Sequence, residues 1–264
     1  MDKEAHPPTV LVFAGHDPSG GAGQQADIEA IAAQGAHAAV AITCLTVQDT
    51  VNVSRVEAVA PALVIAQAEA VLADQRVAAI KLGLLGNGAI VTAVAALLAR
   101  HPLIPVVTDP VLVATGGGQL AAADLIPALK AALLPRTTVL TPNVVEARAL
   151  TGLADLAACA ETLRTVGAPY VLVTGRDEPT AVVENRLHGP EGVRIFRWPR
   201  LAGPFHGSGC TLAAALAARL ALGESVEVAV ERAQAYVAST LAAAFRPGRG
   251  SSIPRRLQSV SSSS

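Results

Sequence analysis

The sequence is short of charge, aromatic rings and sulfur, and each shortage closes off a class of function. Charged residues make up 16% and aromatics 3%, and the 20 basic and 21 acidic residues leave a net charge of −1. With no basic run interleaved with aromatics, neither nucleic acid nor a membrane surface is an expected partner. Cys44, Cys159 and Cys210 are an odd number at wide spacing without a Cys-x-x-Cys pair, which fits a reducing compartment better than a disulfide framework or a structural metal site. No apolar run of about 18 residues passes without a charge or a breaker. The first eight residues lack the basic-then-apolar order of a secretory leader, so a cytoplasmic protein is expected.

What is plentiful is aliphatic bulk. Hydrophobic residues reach 52% of 264, enough for a large core, so disorder is expected only at the ends. We expect one domain over residues 1–250 and a flexible tail over 251–264, within a stretch from Arg246 to Ser264 that is rich in Gly, Pro and Ser. Short apolar runs at 10–13, 38–43, 79–82, 106–108, 139–140 and 170–173 read as strands. They alternate with helical stretches at 24–34, from Pro61, and at 89–100, 125–134, 146–150, 155–166, 210–222 and 225–245. Such alternation predicts an α/β fold on a mostly parallel sheet, with 181–184 and 193–196 as an antiparallel edge pair. Ligands then belong at the C-terminal ends of the strands.

Several polar stretches fall at those ends. Gly207-Ser208-Gly209-Cys210 opens a helix, where bare amides and the helix dipole favour a phosphate, and the same positive end is expected to lower the Cys210 thiol pKa. Residues 17–27 form a second glycine-rich loop, which fits a weak dinucleotide fingerprint at Gly21-Ala22-Gly23-Gln24-Gln25-Ala26 or is only a turn that starts a helix. Asp27 behind it is either a ligand acceptor or a dipole-favoured surface acid. Gln48 either reads a heterocycle edge or is an ordinary loop glutamine. Lys81, a charge in an apolar strand, must snorkel or pair. Asp109 and Glu146 together could hold magnesium, which needs only one or two carboxylates besides substrate phosphates, or Glu146 is unremarkable and Asn143 only caps a helix. His206 beside Cys210 invites a cysteine hydrolase reading, which their closeness in sequence disfavours.

Taken together these stretches resemble the ribokinase-like superfamily, and within it the hydroxymethylpyrimidine and phosphomethylpyrimidine kinases of thiamine biosynthesis. The carriers run along nearly the whole chain: Ala14 through Asp27, Thr46-Val47-Gln48-Asp49-Thr50, Lys81-Leu82-Gly83-Leu84-Leu85, Asp109-Pro110-Val111, Thr141 through Ala147 and His206 through Leu212. The resemblance implies a three-layer α/β/α ribokinase-like fold, ATP, Mg²⁺ and a homodimer. It implies that Gly15, Asp27, Gln48, Leu84 and Val111 surround an aminopyrimidine, whose hydroxymethyl group and then monophosphate are phosphorylated. It implies that Asp109 and Glu146 organise the metal, that Asn143, Thr174 and Gly175 contact the nucleotide, and that the amides of Gly207, Ser208, Gly209 and Cys210 stabilise the moving phosphoryl group. Many sugar kinases of the superfamily carry a catalytic aspartate where Cys210 stands, so cysteine points to the pyrimidine kinases or to the related pyridoxal kinases, with Cys210 as base or positioning group. A pyridoxal kinase is the nearest alternative, and a non-catalytic nucleotide-binding regulator a more distant one. The chain departs from the usual family pattern at Ala114-Thr115-Gly116-Gly117, Arg176-Asp177 and Phe205.

Overall fold

The computed structural model describes residues 6–112, 123–175, 178 and 180–257. Nine strands form one sheet: β1 (Thr9–His16), β2 (His37–Gln48), β3 (Val53–Ala58), β4 (Val77–Leu82), β5 (Val106–Thr108), β6 (Val139–Leu140), β7 (Tyr170–Thr174), β8 (Val182–Gly189) and β9 (Gly192–Pro199). Their order is β3-β2-β1-β4-β5-β6-β7-β8-β9. The six strands from β2 to β7 in that order are parallel, while β3 pairs antiparallel with β2 at one edge and β8 pairs antiparallel with both β7 and β9 at the other. Residues 10–14 of β1 are almost wholly buried, as an apolar strand covered on both faces must be.

Helices cover both faces, giving the expected three layers. One side holds α1 (Gly23–Ala33), α7 (Ser208–Ala221) and α8 (Val226–Ala242), packed with Val10, Val12, Val107 and Leu172. The other holds α2 (Pro61–Asp74), α3 (Gly88–Ala99), a short α4 (Leu125–Ala128), α5 (Val144–Thr151) and α6 (Leu156–Val166), packed with Leu11, Phe13, Ile80 and Leu82. Local sequence starts and stops these helices. Pro61 occupies the first turn of α2, Asn87 Oδ1 accepts the Ile90 amide at the start of α3, and Gly152 at φ 77° ends α5. Because β1 is flanked by β2 and β4, the chain reverses direction across the sheet beside it, and a crevice opens where β1 and β4 end.

Three expectations change. β2 does not stop at Thr43 but continues to Gln48, leaving β1 to pair with β3, so Gln48 ends a strand and β3 is an element the sequence reading lacked. The helix expected over 125–134 begins as α4 and continues as a π turn (Leu129–Leu133) and a 3₁₀ turn (Leu134–Arg136), which carries Pro135 and its missing amide proton. Of the expected tail, residues 251–257 are docked on the body: Ile253 is 4% exposed and Arg256 2%. The rest of the tail, Ala114-Thr115-Gly116-Gly117 and Arg176-Asp177 lie outside the described residues. No described helix is long and apolar enough to cross a membrane.

Candidate active site

A cavity of about 890 Å³ runs along the C-terminal ends of the parallel strands. Its walls bring together Gly15, Gln48, Leu84, Val111, Asp109, Asn143, Glu146, Thr174 and the whole of Gly207-Ser208-Gly209-Cys210. Two predicted residues are not on its wall. Asp27 is wholly buried beneath it, and Gly175 gives its amide to Asn185 Oδ1 at 3.0 Å, close enough to β8 that a Cβ there would fall on the Glu184 carbonyl oxygen.

At the β1–β4 crevice, Asp27 is the floor and Lys81 the surface. Lys81 Nζ lies 2.9 Å from Asp27 Oδ2, with both side chains fully buried, and Lys81 itself lines the cavity. The strand lysine therefore pairs. A Cβ on Gly83 would sit 2.6 Å from Nζ, so the Lys81-Leu82-Gly83 sequence leaves room for the ammonium. Burial alone would pull the lysine pKa down, but Asp27 and Asp109 beside it hold the group above its usual value. Asp27 Oδ1 has no hydrogen-bond partner among the described residues. A buried carboxylate oxygen in that position costs about 1–3 kcal/mol until a donor reaches it.

Asp109 is 5% exposed, just past β5, with its amide donating to Leu82 O at 2.8 Å. Burial raises its carboxyl to about 6 against the opposing pull of Lys81, and the Cys210 thiol donates to it. Cys210 behaves contrary to expectation. Burial first, then the negative charges of Asp109 and Asp27, push the thiol up to about 12 despite Lys81 and the Gly23 amide. Desolvation outweighs the helix terminus, so the thiol pKa is raised and not lowered as expected from sequence.

The phosphate-type loop is rigidly specified. Gly207 caps α7 at φ 82°, a left-handed conformation, and a Cβ there would fall on the Gly21 carbonyl oxygen. Only glycine fits. The two glycine-rich loops, far apart in sequence, are thus in direct contact. His206 braces them: its Nε2–H donates to Asp17 Oδ2 at 2.8 Å, so the imidazole serves the first loop and not Cys210. Asp17 in turn accepts from the Ser19 and Ala22 amides, and these bonds with His206 hold its carboxyl well below the usual range although burial opposes them.

Glu146 and Asn143 form a capping box: the Glu146 amide donates to Asn143 Oδ1 at 2.8 Å and the Asn143 amide to Glu146 Oε2 at 2.9 Å. Both still line the cavity, so capping and ligand contact are compatible here. Among the described residues no cluster of three metal-ligating side chains exists. The chain can therefore supply a pair of carboxylates, the desolvated Asp109 and Glu146, which suits a magnesium ion shared with phosphates.

Sequence reasoning missed the far end of the cavity. There β8, β9 and α8 contribute Val183, Trp198, Val237 and Leu241, and the segment after β9 adds Leu201. Trp198 Nε1 donates to Gln234 Oε1 at 3.1 Å, and Asn185 Nδ2 donates to the same atom at 2.7 Å. The available signal was the single tryptophan of an aromatic-poor chain.

A family model described as phosphomethylpyrimidine kinase matches residues 17–254. The chain is similar to a hydroxymethylpyrimidine/phosphomethylpyrimidine kinase of Synechococcus elongatus, 41% identical over 92% of this chain and 95% of that one. Among solved structures it is similar to an ADP complex of Bacillus subtilis pyridoxal kinase, with a TM-score of 0.88 and 28% identity over 95% and 97% of the two chains. It is also similar to a phosphomethylpyrimidine kinase of Clostridium difficile, with a TM-score of 0.78 and 28% identity over 89% and 99%. The backbone is shared by both kinds of kinase, so the shape of the fold does not choose between substrates and the sequence relatives carry that choice.

Proposed function

We infer the chemistry from one premise, that the chain belongs to the phosphomethylpyrimidine kinase family. It is an enzyme of that class, a hydroxymethylpyrimidine/phosphomethylpyrimidine kinase of thiamine biosynthesis. ATP is the phosphoryl donor, in keeping with the ADP held by the pyridoxal kinase of similar fold. The observation that carries the reading is the convergence of Lys81, Asp109 and Cys210 with the amides of residues 207–210 in one cavity that continues to Trp198.

The pyrimidine lies against Gly15, Gln48, Leu84 and Val111. Gln48 can donate to a ring nitrogen and accept from an amine, while Asp27, one layer below, fixes Lys81 and offers its unpartnered Oδ1. The substrate hydroxyl attacks the terminal phosphorus of ATP, the bond to the bridging oxygen breaks, and ADP leaves. In the second turn a phosphate oxygen of the monophosphate attacks instead. Charge spread over the transferring group is met by the amides of residues 207–210, the usual main source of catalysis in this chemistry. Asp109 and Glu146 would hold Mg²⁺, which when bound neutralises phosphate charge. Asn143 and Thr174 line the path to the nucleotide, whose base occupies the apolar end beside Trp198; Gly175 acts there through the β7–β8 approach. With its thiol near 12, Cys210 keeps its proton and orients the hydroxyl, and a loose transition state lets the hydroxyl proton depart late, onto an oxygen of the transferred phosphoryl group, without a strong base. The enzyme works as a cytoplasmic homodimer.

The test is turnover with ATP on hydroxymethylpyrimidine, its monophosphate and pyridoxal in parallel. Phosphorylation of both pyrimidines with kcat/KM above that for pyridoxal is expected. Preference for pyridoxal would reassign the substrate, and binding without turnover would make the protein a regulator.

A further inference from the structure

We propose that Arg256, in the segment that follows α8, is a positioning residue of the phosphate cradle. The chain beyond α8 doubles back along the loops of the site. Ser251 donates its amide to Thr50 O at 2.8 Å, Ser252 to Pro204 O at 3.0 Å, and His206 to Ser252 O at 2.8 Å, which draws the segment beside the cradle. Arg256 then turns inward, and its side chain is completely buried. A buried cation is costly unless paired and hydrogen-bonded, and this one has an acceptor at each of its three nitrogens. Its Nε donates to Thr211 Oγ1 at 2.8 Å, Nη2 to the Gly21 carbonyl, and Nη1 reaches Glu29 Oε2 at 3.2 Å.

Those partners belong to the two halves of the cradle. Thr211 passes the contact on, since its hydroxyl donates to Gly207 O at 2.7 Å, and Gly21 O is the atom against which Gly207 is packed. A guanidinium is a planar fork of fixed dimensions, so it sets the separation of the 20–21 loop from the first turn of α7 in a way a flexible ammonium does not. A Cβ on Gly207 would also lie 2.8 Å from Nη2, so the arrangement has no slack. Neither Arg256 nor its partners Thr211 and Gly21 line the cavity, so it acts at one remove, through their contacts with Gly207, which does. The inference rests on the reading of residues 207–210 as the phosphoryl cradle.

Arg256→Ala, assayed for pyrimidine phosphorylation, is expected to lower kcat at least about tenfold while pyrimidine KM changes less than about threefold, because small misplacements of a reacting frame are costly. Millimolar guanidinium chloride should restore part of that kcat, and equal sodium chloride should not. Arg256→Lys keeps the charge without the fork, so its kcat should fall between the two with a wild-type melting temperature. A folded Arg256→Ala with kcat within about twofold of wild type, or a loss that guanidinium leaves untouched, overturns the proposal. Should the alanine variant not fold, Arg256→Lys decides: unchanged kcat overturns it and reduced kcat supports it. Failure of the wild-type protein to phosphorylate any pyrimidine would sink the reaction assignment instead.

Discussion

Where β1, β4 and β5 end, the cavity wall is dense with charge: Lys81, Asp109 and the Asp17–His206 brace stand among the amides of residues 207–210. Where β8, β9 and α8 meet, the wall is aliphatic and aromatic, with polarity confined to the Asn185–Gln234–Trp198 group. Under the proposed function the first end handles atoms whose charge changes during reaction, for which fixed dipoles are needed, and the second grips a part of the ligand that does not react, for which shape is enough. A lesion at the first end should therefore cost stability or turnover, and one at the second only nucleotide affinity.

The strongest way to break this contrast is Lys81→Met. It strands Asp27 as a buried charge and should cost about 3–5 kcal/mol in denaturant unfolding. Adding Asp27→Leu should recover at least half, and a single-variant cost below about 1 kcal/mol would show that the charged floor is not under such constraint. Asp109 gives the next largest effect. Its carboxyl is held at about 6, above an ordinary value of 3.8, so between those pH values the folded chain keeps a proton the unfolded chain has released. Stability in metal-free buffer should therefore fall as pH rises through that window, by at most about 3 kcal/mol, and Asp109→Asn should flatten the slope. Gln48→Ala sharpens the contrast from the substrate side: pyrimidine KM should rise about 10- to 100-fold, the worth of one to two lost hydrogen bonds, with ATP KM unchanged. Trp198→Ala is its mirror image, raising ATP KM roughly tenfold at constant kcat and pyrimidine KM. Cys210→Ala should have the smallest effect, a loss of kcat below about tenfold; a loss of 10²-fold or more would return Cys210 to the role of base.

The same contrast governs what could be read in advance. Strands such as β5 and β6 match their expected limits because short apolar runs buried on both faces leave little choice of boundary. The polar end was legible because phosphate handling uses glycine, small polar groups and acids at short spacings, which survive as motifs. β3 escaped because its exposed, weakly apolar residues have no core to face, and its partner β2 passes from the sheet beside β1 to a two-stranded flap near Cys44. The Trp198 end escaped because it is assembled from β8, β9 and α8 by packing alone. For Cys210 the helix terminus was visible in sequence, whereas the burial that overrides it comes from β1, β4 and β5. The docking of residues 251–257 was hidden because they fall in a stretch, 246–264, rich in Gly, Pro and Ser, although the Arg255-Arg256 pair within it was the clue.

The contact between Gly207 and the Gly21 carbonyl also has a meaning for biosynthesis. A chain emerging from the ribosome can pair β1 with β2 and cover them with α1 early, yet the first glycine loop lacks its contacts with the second until residues 206–211 appear, and Arg256 arrives later still. Catalytic competence is thus a property of the completed polypeptide, settled by the contacts of greatest sequence separation and acquired last during folding. Activity recovered during refolding would accordingly report the final step of assembly and not the formation of the sheet.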